Sequence, residues 1–295
     1  MKNNAIRTSG LFRKLEPVKF KLFTGLERPQ YTQIFYSPII GWNNYDKWMA
    51  GIAFHNQGII PKKLEYLVMP MYSFNAKDVV GHASITYNYF KTEKINASFT
   101  AGLTHYAFGT QTNYNAEPDK SFLYSYTKFE PDIKFEFRKD VRSSIRQQVF
   151  LKNYFIRSNS NFVFDSIYTK QNTINEYYNE LKYALINNRS IDPYSLKGSL
   201  QTGKDFMKTF VEAQYHFTYK KRQKGVSLRL FAGSFLYSNT AKNVNFKMSG
   251  FSGIDDYLFN DIYLGRTETD NSKITSRQFN ESDGAFKINT AVGQT

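Results

Sequence analysis

The stretch Asp205-Phe206-Met207-Lys208-Thr209-Phe210-Val211-Glu212-Ala213-Gln214-Tyr215-His216-Phe217-Thr218-Tyr219 decides the fold. Its odd positions, Met207, Thr209, Val211, Ala213, Tyr215, Phe217 and Tyr219, form an apolar series ending in aromatics. Its even positions, Phe206, Lys208, Phe210, Glu212, Gln214, His216 and Thr218, form a mixed series that carries charge. Successive side chains of a strand point to opposite faces, so this segment, as a strand, has one apolar face and one charged face. It is longer than a usual globular strand of about 5–6 residues and long enough to cross a bilayer at a tilt, which takes about 9–11. Lipid on one side and water on the other select this pattern, and transmembrane β-barrels are its main home.

The alternation recurs. Ile95, Ala97, Phe99, Ala101 and Leu103 oppose Lys94, Asn96, Ser98, Thr100 and Gly102. Ile133, Phe135 and Phe137 oppose Asp132, Lys134, Glu136 and Arg138, and Val226, Leu228, Leu230 and Ala232 oppose Ser227, Arg229, Phe231 and Gly233. Strand-like segments fall near 18–26, 31–36, 47–56, 64–74, 79–90, 94–107, 121–129, 132–139, 145–156, 161–168, 176–187, 206–219, 226–237 and 285–292. Asn172 to Asn187 fits a helix as well as a strand. Asn75 to Asp78 and Lys91 to Glu93 read as short turns, and Gly109–Lys120 and Ser238–Asp283 as long loops, the asymmetry of outer-membrane barrels. The expected fold is all-β, an antiparallel transmembrane β-barrel of the outer-membrane type, incomplete, in one domain over residues 1–295 with 1–16 as a lead-in.

Composition fits. Aromatics make up 17% of the chain, with 27 Phe and 22 Tyr, and barrels place such residues in girdles at both interfaces. No cysteine is present, which excludes disulfides, thiolate catalysis and Cys-ligated metal. The net charge of +14 raises nucleic acid as a partner, but the charges are scattered. The one dense run, Lys220, Lys221, Arg222 and Lys224, precedes Gly225 and reads as a solvated turn, with anionic headgroups as another contact. Met1 to Leu15 lacks the apolar run of a secretory signal, and Ala291-Val292-Gly293-Gln294-Thr295 lacks a closing aromatic. Both ends are therefore expected to continue in a longer parent.

Two stretches carry a resemblance. The first is Tyr31-Thr32-Gln33-Ile34-Phe35-Tyr36-Ser37-Pro38 with Gly41-Trp42-Asn43-Asn44-Tyr45-Asp46-Lys47 and Leu64-Glu65-Tyr66-Leu67-Val68-Met69-Pro70-Met71-Tyr72. The second is Gly250 to Arg266, with Asp256-Tyr257, Asp261 and Leu264-Gly265-Arg266, continuing to Ser276-Arg277-Gln278 and Asp283-Gly284-Ala285-Phe286. Together they resemble the carboxy-terminal outer-membrane region of M1-family (gluzincin) peptidase-like proteins of Bacteroidetes-type bacteria. The resemblance implies a zinc peptidase domain upstream. It implies as partners the bilayer, lipopolysaccharide, the barrel-assembly machinery and that upstream domain, with localisation in a Gram-negative outer membrane. The zinc motif H-E-x-x-H is missing: none of His55, His82, His105 and His216 is followed by Glu. No catalytic, cofactor-binding or metal residue is therefore assigned.

Other constellations have plain readings beside sharper ones. Asp255, Asp256 and Asp261 read as an acidic loop before a cation site, since they lack calcium-loop spacing. Lys208, Glu212 and His216 read as a hydrated ladder before a catalytic group, Trp42 and Trp48 as interface anchors before a sugar platform, and Gly51, Gly81, Gly102 and Gly233 as bulges or bends. Three functions remain open: a membrane anchor and pore, a soluble secreted all-β binder of polysaccharide, and an extension of the parent's peptidase site.

Overall fold

The long alternating segments are all strands, and strands consecutive in the chain are neighbours in space. The structure is a computed structural model that describes residues 18–23, 32–58, 62–90, 94–112, 121–140, 142–164, 168–219, 224–239, 244, 246 and 256–267, with backbone alone at 111–112, 121–122, 160–164 and 168–172. The strands are β1 (Val18–Leu22), β2 (Thr32–Asn43), β3 (Lys47–His55), β4 (Leu64–Ser73), β5 (Asp78–Phe90), β6 (Ile95–Thr112), β7 (Ser121–Arg138), β8 (Ile145–Phe164), β9 (Tyr168–Asn187), β10 (Tyr194–Thr202), β11 (Phe206–Thr218) and β12 (Gly225–Ser238). They form a 12-stranded sheet in chain order. Every pairing is antiparallel except that of β1 with β2, which is parallel.

The closed barrel expected from the sequence is not what the described residues form; their sheet is open, with β1 and β12 as its edges. Direction explains this. Antiparallel steps from β2 to β12 leave the two strands pointing the same way, so they cannot pair as antiparallel neighbours, and β1 covers part of the β2 edge. The segment expected near 285–292 lies outside the described residues, as do the lead-in 1–16 and Lys220 to Arg222.

Three expected boundaries move. Segments 121–129 and 132–139 are one strand, β7, running through Pro131. Proline lacks an N–H, and the β7–β8 register skips Glu130 and Pro131 while β6 still pairs Ala101 with Pro131. Segment 145–156 and residues 161–164 of the next expected segment are one strand, β8, because partners on both sides hold the polar run at Ser158: Tyr126 from β7 and Ile174 from β9; Tyr168 begins β9. Strand β10 was not expected, since Gly198 and its serines weaken its pattern; pairing with β9 and β11 fixes it. The ambiguous 172–187 lies in β9, and Gly109 to Thr112, expected in a loop, are the end of β6.

Turns follow local chemistry. Between β2 and β3 the Asn43 Oδ1 accepts the N–H groups of Tyr45 (2.8 Å) and Asp46 (2.6 Å). Between β4 and β5 the Ser73 carbonyl accepts Lys77 N–H at 2.9 Å, and Ser73 Oγ accepts Ala76 N–H at 3.0 Å. Gly81 bends the sheet: its φ is +144°, and a Cβ there would lie 2.0 Å from the Met69 carbonyl oxygen. The register slips lie elsewhere, between Ala107 and Gly109 and opposite Met207/Lys208, so Gly102 and Gly233 do not mark bulges.

The sheet is curled, and residues 256–267 sit in its hollow. Arg266 donates to the Asp256 carbonyl at 3.0 Å and to its carboxylate at 3.2 Å, so this segment is a compact loop closed on itself. The same loop touches distant strands. Tyr257 hydroxyl donates to Gln201 on β10, Lys128 on β7 donates to the Phe259 carbonyl at 3.0 Å, and Asn44, in the turn after β2, donates to the Leu264 carbonyl at 2.7 Å. A flat sheet would hold β3 and β10 about 34 Å apart, at about 4.8 Å per strand. Only strong curvature brings both against one small loop. Two apolar clusters line the hollow: Tyr154, Ile156, Tyr178, Phe206, Val244 and Leu258, and, at the other end, Met49, Met71 and Val80.

Candidate functional site

The two faces of the sheet are inverted relative to a water-soluble protein. On the outer, convex face, Ile40 is 76% exposed and Leu230 73%; on the inner face Glu180 is 5% exposed and Lys128 6%. Charged residues are almost never that buried unless paired, and a soluble fold does not leave a whole sheet face apolar and bare.

Register makes the outer face continuous. One cross-strand row reads Tyr36–Phe54–Val68–Ala83–Leu103–Phe129–Phe155–Tyr177, from β2 to β9. A second reads Leu64–Tyr87–Phe99–Ile133–Leu151–Leu181–Leu200, from β4 to β10. Two polar interruptions are covered by tyrosines: the Tyr177 hydroxyl donates to Asn153 (3.4 Å) and Asn179, and the Tyr183 hydroxyl to Gln147 (3.3 Å). Aromatics concentrate at the margins. Trp42 pairs with Trp48 at one margin, where Trp48 is exposed, and Tyr215 and Phe217 lie near the other.

The band has the dimensions of a bilayer core. On β3 it reaches Trp48, whereas on β9 it stops at Tyr177, in the row of Phe54. The edge therefore lies further out on β3 than on β9, and from β6 to β9 it stays in the single row Leu103–Phe129–Phe155–Tyr177. On β8 the band spans eleven residues, or ten residue steps, from Ile145 to Phe155. That is about 34 Å along the strand, which at the tilt of about 35–45° usual in transmembrane barrels is about 24–28 Å, close to their apolar height.

Beyond the aromatic margin the outer face turns polar. The next outward row from β5 to β9 is Gly81–His105–Thr127–Arg157–Asn175. Among the described residues no helix is long and apolar enough to cross a membrane; strands are not covered by that criterion.

The inner face is a charge ladder that stitches β7 to β12. Glu130 on β7 meets Lys128 (3.0 Å) and Lys152 of β8 (3.3 Å). Glu136 accepts from Arg138 (2.7 Å) and from Gln148 of β8 (2.9 Å). Glu180 on β9 accepts Tyr154 and Ser199 hydroxyls, each at 3.0 Å, and pairs with Lys182 at 3.0 Å. Glu212 on β11 meets Lys197 of β10 at 3.3 Å, Gln214 at 2.8 Å and the Arg229 guanidinium of β12. Burying a carboxylate costs several kcal/mol unless it is paired and hydrogen-bonded, and each of these is.

A cleft of about 720 Å³ lies between the ladder and the 256–267 loop, walled by Met49, Met69 and Met71 on one side and by Lys128, Glu130, Lys152 and Tyr154 on the other. The Lys128 ammonium is held by Glu130, the Phe259 carbonyl and Asn260 Oδ1, the last two at 3.0 Å, so it braces the loop.

The residues singled out in the sequence are distributed as follows. Lys208, Glu212 and His216 share the inner face of β11, each bonded to a different neighbour: the Val244 carbonyl at 3.1 Å, the Lys197/Arg229 pair, and Ser227 Oγ at 2.8 Å. Asp256 is engaged by Arg266 and by the N–H groups of Asn260 (3.2 Å) and Asp261 (2.8 Å), and Asp255 lies outside the described residues. No cluster of acidic, histidine or cysteine side chains suited to a metal occurs among the described residues. Gly233 makes room for the Phe246 ring, which would lie 2.8 Å from a Cβ at that position. Sequence reasoning missed Lys128, Glu130, Tyr154 and Glu180, whose significance depends on what the curled sheet and the loop bring near them. The chain matches no protein-family model, no curated protein and no solved structure.

Proposed function

We propose that this chain is an integral outer-membrane β-domain that anchors an upstream domain, in the resembled family a zinc metallopeptidase, to the surface of a Gram-negative bacterium. The outer face lies in hydrocarbon, the charged inner face lines a hydrated interior, and the chain itself carries no catalytic group. Its partners are the bilayer, lipopolysaccharide and the barrel-assembly machinery. One observation carries the reading: large apolar side chains are exposed across one face of the sheet while glutamates and lysines are buried on the other. At roughly 25 cal/mol per Å² of apolar area, such a face is a standing penalty in water and a source of stability in lipid.

The 256–267 loop gives the interior a filling of its own, which favours an anchor over an open pore. The test is partition and gel mobility. Protein refolded into vesicles stays with the membrane through alkaline washing and migrates differently before and after boiling. Extraction into detergent-free buffer as a folded monomer would refute the membrane reading and leave the soluble polysaccharide binder standing.

A further inference from the structure

We propose that the outer face holds the phosphate of an anionic membrane lipid in a groove at the edge of its apolar band, with Arg157 as the cation. The inference rests on the membrane reading above and deepens it. The groove, of about 450 Å³, is lined on its outer side by Phe129, Phe155 and Tyr177 below and by Thr127, Arg157 and Asn175 above. The three rings form one exposed aromatic surface, with centroids 6.0 Å apart for Phe129–Phe155 and 4.8 Å for Phe155–Tyr177. Such a surface suits the upper part of an acyl chain.

The polar wall begins one outward row higher, where hydrocarbon gives way to headgroups. Arg157 is exposed, and among the described residues no carboxylate or hydrogen-bond acceptor engages its side chain. Thr127 and Asn175 flank it in the same row, and both carry side-chain donors. The one acidic neighbour in the groove, Glu176, has the opposite parity and turns inward. His105 continues the row, its Nδ1 2.8 Å from Thr127 Oγ1 and its Nε2 3.5 Å from the Asp78 carboxylate. A guanidinium presents a planar fork of donors that matches phosphate oxygens, and at a membrane surface each cation raises affinity for anionic lipid. Depth, apolar floor and an unengaged cation coincide here, and an anionic phospholipid satisfies all three.

The experiment is native mass spectrometry of the protein released from vesicles holding equal phosphatidylglycerol and phosphatidylcholine. The wild type is expected to retain phosphatidylglycerol over phosphatidylcholine by roughly fivefold. Arg157→Gln brings that ratio close to one, Asn175→Asp lowers it by placing a carboxylate beside the guanidinium, and Arg157→Lys keeps most of it. Arg146→Gln, on the inner face of the same strand, leaves it unchanged. An unchanged ratio in Arg157→Gln, no preference in the wild type, or displacement of the lipid by millimolar inorganic phosphate overturns the proposal. Failure of the wild type to enter vesicles overturns this proposal and the membrane reading together, whereas entry without preference overturns this one alone.

Discussion

The backbone N–H of Asn44 donates to the carbonyl of Leu264 at 2.7 Å, joining the turn after β2 to a loop that follows β12. The neighbouring Tyr45 repeats the link: its hydroxyl accepts Thr267 N–H at 2.6 Å and lies 2.8 Å from Thr267 Oγ1. Asn44 and Leu264 belong to the two stretches on which the resemblance rests, so two separate sequence signatures meet in one contact.

Tyr45→Phe removes that hydroxyl and leaves the Thr267 amide without its acceptor at a residue 3% exposed. A buried donor stripped of its partner costs about 1–3 kcal/mol. The urea midpoint of protein refolded in the presence of vesicles is expected to fall accordingly. Tyr87→Phe, on the exposed outer face, is expected to change stability by less than about 0.5 kcal/mol.

Arg266 locks the loop. It donates to the Asp256 carboxylate and carbonyl and to the Asp261 carbonyl at 2.7 Å, and it stacks on Phe259 and Tyr263. Arg266→Ala strands a carboxylate that is 10% exposed, a loss on the order of 3–5 kcal/mol. Limited proteolysis is expected to cut between 256 and 267 in this variant and not in the wild type. Arg266→Met with Asp256→Asn recovers part of the loss, because no unpaired charge remains; no recovery would show that the pair acts through other contacts.

A charge in the middle of the outer band reports which medium it faces. Leu151→Arg and Leu181→Arg sit in one cross-strand row near the centre of the band. In lipid each costs about 2–4 kcal/mol in refolding titrations, whereas Asn175→Arg, beyond the aromatic margin, costs about 0–1. Equal small effects at all three sites would place the face in water.

The two tryptophans of the chain, Trp42 and Trp48, form one cross-strand pair at a margin of the band. Their emission in vesicles is expected to be quenched more by lipids brominated near the headgroup than by lipids brominated at the chain end. Stronger quenching from the chain end would move that margin into the bilayer centre.

Much of the fold was legible because period-two alternation survives any context: Ile95 to Leu103 and Val226 to Ala232 face outward as the pattern required. Strand β10 was not, since its Gly198 and serines carry a weak signal that two neighbours override. Pro131 and the Ser158 run misled in the opposite sense, looking like breaks although pairing on either side carries the strand through. The band edge was partly visible, through the tryptophans. The groove at Arg157 was not, since it needs Thr127, Arg157 and Asn175 from three strands in one row.

The sequence by itself determined the all-β class, the assignment of apolar and charged residues to opposite faces, and the residues of the aromatic margins. Alternation is a property of each strand alone, so one dimension suffices to read it. Tertiary structure decided which face is convex, which row of the sheet forms the edge of the band, and that residues 256–267 occupy the hollow. Register and curvature arise between strands, where a lysine such as Lys128 meets the Phe259 carbonyl across 131 positions of chain. No local pattern encodes that meeting.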